Sequence, residues 1–132
     1  MLEKYMVIYP DCHIEWMECE YDQLVKSCYK VIGCSCVENV RTIIPDVCLI
    51  VDESGRLKNP AQPHNDLAST FYAGWIFGDD DIVGPAVVAA IHQIDGESDW
   101  APLNALELDL VVWHLASLGV LLFNHLLTSS LI

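Results

Sequence analysis

From Leu110 to Ile132 the chain runs for 23 residues without an Asp, Glu, Lys or Arg. So long an uncharged stretch must be hidden from water by its own chain, by a second chain or by a bilayer. Its length is enough to cross a membrane as a helix. Three details disfavour an anchor. No Lys or Arg flanks the run to set an orientation. His114, Asn124 and His125 lie inside it, where hydrocarbon makes polar groups costly. Its polar residues are also ordered: Asn104, Glu107, His114, Ser117, Asn124 and Thr128 recur at three-, four- and seven-residue spacings, a narrow stripe along one helix. The pattern predicts a long, almost wholly buried C-terminal helix. A small sheet offers too little surface to cover it. The excess is expected at a subunit interface of a homo-oligomer, with Leu115, Leu118 and Leu122 as its apolar contacts.

The remaining chain reads as α+β, with a small antiparallel or mixed sheet, one short helix and the long apolar C-terminal helix. Residues 1–103 form the expected α+β domain and residues 104–132 the oligomerisation helix. At 132 residues the whole is large enough for a proper core. Tyr5–Tyr9 is rich in β-branched and aromatic residues and reads as a strand; Pro10-Asp11 turns it into a partner, His13–Glu18. Tyr21, Leu24, Val25 and Cys28 share one face of a short helix, which Gly33 caps. Cys34–Val40 and Ile43–Val51 read as strands, the second bent at Pro45. Asp66–Tyr72 is a helical turn and Val83–Ile94 a long apolar strand that ends at the turn pair Asp95-Gly96.

Charge narrows the partners. Six Lys or Arg face nineteen Asp or Glu, for a net −13, and all six bases lie at or before Lys58. Nine acids and no base follow. Phosphates would repel such a surface, so direct binding to nucleic acid or an anionic membrane is disfavoured. A basic protein surface is the partner that this balance suits; plain solubility is the other reading. The N-terminus lacks a basic segment followed by an apolar one, so a cytoplasmic location is expected, inside a bacterial host if the setting implied below holds. Cys12, Cys19, Cys28, Cys34, Cys36 and Cys48 are then free thiols. No Cys-x-x-Cys pair is present, so no zinc site and no other cofactor is expected.

A second feature concerns the middle of the chain. Ile50-Val51-Asp52-Glu53-Ser54-Gly55-Arg56-Leu57-Lys58 is an apolar strand running into a turn, where Gly55 is free to take positive φ. Asn65 and Ala68 follow, and then Ile82-Val83-Gly84-Pro85-Ala86-Val87-Val88. This order resembles the phage and mobile-element family known as domain of unknown function 3846, over roughly residues 5 to 103. The resemblance implies a phage or mobile-element setting and no established chemistry. Family tails are expected to be shorter and more charged than this one.

Candidate chemistry is sparse. Asp95, Glu97 and Asp99 alternate like the start of a calcium loop, but the twelfth position falls at Leu106 rather than Glu. Asp79, Asp80 and Asp81 could hold magnesium or simply be solvated. A cysteine- or metal-dependent enzyme has no local signature to support it, and His64 is the one histidine in a position to matter. No nucleotide-binding or hydrolase fingerprint occurs. Binding is the better reading. Asp79, Asp80, Asp81 and Trp75 are the expected contacts with a basic host protein that the chain occludes, in the manner of a small anti-defence protein. The alternative is a sponge for a small nucleotide signal, held by Arg56, Lys58 and Asn65.

Overall fold

The computed structural model describes residues 2–34, 36–55, 62–73 and 82–131, and the side chains of all but residues 72, 73, 94 and 120–131 among these. Among the described residues six strands form one sheet: β1 (Leu2–Ile8), β2 (Ile14–Glu20), β3 (Val37–Arg41), β4 (Val47–Asp52), β5 (Ala86–Ile94) and β6 (Glu97–Ala101). The order is β2-β1-β5-β4-β3, every pairing antiparallel, with β6 hydrogen-bonded to β5 beyond the point where β1 leaves it. The helices are α1 (Leu24–Ile32), α2 (Asp66–Ala73) and α3 (Ala105–Leu131).

Side-chain alternation explains the layers. Successive residues of a strand point to opposite faces. Met6, Ile8, Val47, Leu49, Val51, Ala86, Val88 and Ala90 face one side, where Leu67, Phe71, Val111 and Leu118 of α2 and α3 cover them. Tyr5, Val7, Cys48, Ile50, Val87, Ala89 and Ile91 face the other, under Leu24, Cys28 and Ile32 of α1. Both faces of the three central strands are therefore covered. That is why β4 and most of β5 read as unbroken apolar runs rather than as alternating ones.

Several expectations shift in detail. The buried stripe of α1 is Leu24, Cys28 and Ile32, while Tyr21 and Val25 are exposed. The helix starts later than expected because Tyr21–Gln23 forms a separate 3-10 turn. Gly33 ends it in the left-handed region (φ 72°), its N–H donating to the Tyr29 carbonyl. Ile43–Asp46 is a turn rather than part of β4; Asp46 has φ 62° and its carbonyl accepts the Ile91 N–H. β6 was not expected: Glu97–Ala101 has little β-propensity of its own. The Asp95-Gly96 pair, with φ 52° and 82°, folds it back on β5 in a two-residue hairpin.

α3 departs most from expectation. Its polar stripe was to be the surface of an otherwise buried helix. Instead Glu107 and His114 are buried, and Leu106, Leu110, Val112 and Trp113 face solvent. Leu118 is among the largest fully buried side chains and Leu115 packs beside it, both against this chain's own sheet. Leu118 is therefore not free for an oligomer contact, Leu115 is half-buried, and the Leu122 side chain lies outside the described residues. Within this stretch Glu107, Val111, His114 and Leu118 are buried against the domain. Among the described residues no helix is long and apolar enough to cross a membrane.

Candidate functional site

The two motif segments meet at one end of the sheet, where β1 and β4 finish and β5 begins. At the end of β4, Asp52 is buried and its Oδ1 accepts the Ser54 N–H at 3.0 Å and the Ser54 hydroxyl at 3.2 Å. This turn delivers Gly55 against the incoming second segment. A Cβ on Gly55 would lie 2.9 Å from Val83 Cγ2, closer than side chains pack. Close approach, rather than the positive φ expected from the sequence, is what requires glycine here; among the described residues the left-handed glycines are Gly33, Gly84 and Gly96. The chain re-enters at Gln62, whose N–H donates to the Gly55 carbonyl at 3.4 Å.

Asn65 fastens this end together. Its Nδ2 donates to the Ile8 carbonyl at 2.8 Å and to the Gly84 carbonyl at 2.9 Å, and its Oδ1 accepts the Ala68 N–H at 3.1 Å. One fully buried amide thus caps α2 and ties it to the ends of β1 and β5. The backbone repeats the bond: Asn65 N–H donates to Ile82 O at 2.7 Å, and Gly84 N–H to Pro63 O at 2.8 Å. Ser69 Oγ accepts the Ile82 N–H at 2.8 Å and donates to Asn65 O. His64, exposed, bridges Val83.

These bonds correct one expectation. Both amide protons of Asn65 are spent on main-chain carbonyls, so it is a structural clamp and not a ligand contact. Its proposed companions Arg56 and Lys58 lie outside the described residues, as do Trp75, Asp79, Asp80 and Asp81. The structure does fix what borders them: Gly55 and Gln62 on one side, and α2 and Ile82 on the other, all at this end of the sheet.

The opposite end also carries exposed acids, beside the exposed Lys4, Lys26 and Arg41, while Asp11, Glu38, Glu53 and Asp66 are exposed at or near the motif end. Register places the end of β2 and the start of β1 together through Glu18↔Lys4, and Lys4 bridges Leu103 beyond β6. Glu18, Asp22, Asp95, Glu97 and Asp99 are exposed there. Asp95 occupies the hairpin turn while Glu97 and Asp99 stand on β6, an arrangement unlike a calcium loop. Behind them His92 Nε2 meets Glu107 Oε2 at 2.8 Å. Glu107 Oε1 accepts the Asn104 N–H at 2.9 Å, and Asn104 Oδ1 accepts the Glu107 N–H at 2.8 Å. This reciprocal pair is a capping box at the start of α3. Asn104-x-x-Glu107 was legible as such; reading both residues as surface polar stripe obscured it.

The other titratable groups serve the fold. His114 Nε2 donates to the Phe71 carbonyl at 3.1 Å and its ring meets Phe71 edge-on, joining α3 to α2. His13 stacks on Tyr9 and contacts Glu15. Cys19, Cys28 and Cys48 are buried, Cys34 is half-buried, and Cys12 and Cys36 are exposed. Burial pushes the Cys28 and Cys48 thiols up to about 12. Among the described residues no three potential metal ligands come together.

A six-stranded antiparallel sheet, helices on both faces and two motif segments clamped at one end define the chain's class. The family model for domain of unknown function 3846 matches residues 4–106, and the chain belongs to that family. No curated protein and no solved structure gives a significant match.

Proposed function

We propose that this chain is a non-enzymatic binding protein that docks through an acidic surface on a basic partner protein. In the phage or mobile-element setting that the family resemblance implies, the partner is a host defence protein and docking occludes it. The observation that carries this reading is the placement of charge. Glu18, Asp22, Asp95, Glu97 and Asp99 stand exposed at one end of the sheet, three of them on a hairpin that projects from β5. A hydrogen-bonded hairpin that presents carboxylates offers long-range steering to a basic surface at less ordering cost than a loop.

The test is capture of host proteins on the immobilised chain at low salt, followed by kinetics with the purified partner. Retention should fall as salt rises, since exposed charges are screened beyond roughly 8–10 Å near physiological ionic strength. Asp95→Asn with Glu97→Gln and Asp99→Asn should slow association more than it speeds dissociation. Asn tolerates the left-handed conformation of position 95, so the hairpin is kept. The set Asp79→Asn, Asp80→Asn and Asp81→Asn tests the other acidic segment in the same assay. Salt-insensitive retention, or release of a nucleotide on heating with no protein retained, rejects docking; the second outcome puts nucleotide sequestration in its place.

A further inference from the structure

The outer face of α3 has the wrong polarity for water. Leu106 is 68% exposed, Leu110 37%, Val112 51% and Trp113 72%. Positions 106, 110 and 113 stand above one another on one ridge of the helix, while Val112 lies on a different face. The inward face meanwhile spends positions on Glu107 and His114, each with a partner inside the domain.

We infer that this ridge is the interface of a homodimer, with α3 of one copy packed antiparallel on α3 of the other. Charge selects the occupant. Each chain carries −13, so contact between copies at most surfaces brings carboxylates together. From Leu110 onward the helix has no charge at all, so beyond Asp109 this face offers a charged partner nothing to pair with, while two copies meet there with little repulsion. Leu106, Leu110 and Trp113 supply the apolar centre of such a contact. A two-fold axis near Trp113 makes the contact self-complementary and sets Asp109, the ridge's charged neighbour, across from Ser117 of the copy rather than from another Asp109. Trp113 is the central aromatic, the kind of residue that carries most of an interface's energy.

Sedimentation equilibrium of the full chain at micromolar concentration should find a dimer. Trp113→Ser should weaken it at least tenfold, and Leu106→Ser should weaken it less, in line with its distance from the axis. Both side chains are exposed, so circular dichroism and the urea midpoint of the monomer should be unchanged. Raising salt should tighten the dimer, since the electrostatic term between copies is repulsion; this is opposite to the response expected of partner docking, so the two ideas fail separately. A monomer at all salt concentrations overturns the inference, as does a dimer indifferent to both substitutions. Partition of the unmodified chain into phosphatidylcholine vesicles, abolished by Trp113→Ser, overturns it in favour of a lipid surface.

Discussion

Asn65 shows how much of a fold one side chain can hold. Three main-chain groups from β1, the β5 approach and α2 converge on a single buried amide. Asn65→Ala removes the cap and strands two carbonyls, at a cost of about 2–4 kcal/mol. Asn65→Asp separates the two roles. It keeps the cap to the Ala68 N–H but faces the Ile8 and Gly84 carbonyls with a carboxylate, so it should cost at least as much as alanine despite its similar shape. Urea unfolding of both variants with unchanged slope checks this; an Asp variant as stable as the native chain would show that the two carbonyl bonds matter little. Gly55 teaches a related point. A glycine in a turn suggests positive φ, but here the reason is a neighbour, Val83, that approaches across 28 residues of sequence. Local rules could mark the position as special without showing which constraint made it so.

At the scale of elements, α3 separates what pattern shows from what packing decides. Leu118 is fully buried against its own sheet. Leu118→Ala should therefore lower stability by about 2–5 kcal/mol and leave the assembly state of the folded fraction unchanged. Chemical denaturation and light scattering on one sample distinguish this from an interface role, in which dissociation would precede unfolding. The existence of α1, α2, α3 and of strands β1 to β5 was legible, because long apolar runs and the Gly33 cap act locally. The orientation of α3 was not. A stripe of polar residues on an apolar helix is normally its wet side, yet Glu107 and His114 turn inward because His92, the Asn104 backbone and the Phe71 carbonyl wait for them there. Those partners lie 3 to 43 residues away. β6 was missed for the opposite reason: its own residues are poor strand formers, and β5 supplies the pairing. Of the candidate site, the two motif segments were legible, and their meeting point at Asn65 was not.

At the scale of the whole molecule, the thiols set an upper pH limit. Cys28 and Cys48 titrate near 9.0 when solvated and are pushed up to about 12 in the fold, chiefly by burial. Above pH 9 the unfolded chain therefore binds fewer protons than the folded one, and stability falls as pH rises through the window to about 12; below 9 these groups contribute no pH dependence. Unfolding midpoints between pH 7 and 11 should be flat and then decline. In the same range, Cys12 and Cys36 should be alkylated readily and Cys28 and Cys48 at the rate of global opening. Equal rates for buried and exposed thiols, or a flat midpoint throughout, would contradict the burial that separates them.

The strand order also bears on how this chain comes off a ribosome. β1 with β2 and β3 with β4 are local hairpins, but they never touch each other in the sheet; β5 lies between them. Until residue 94 has emerged, the nascent chain holds two hairpins whose inner edges, β1 and β4, are the most apolar strands it has made so far. Unpaired apolar edges are templates for aggregation. The arrival of β5 satisfies both at once, and β6 then closes the remaining length of β5. Synthesis therefore passes through an interval of exposure that ends abruptly, and a chain stalled before Ala86 is left with two sticky halves and nothing to join them.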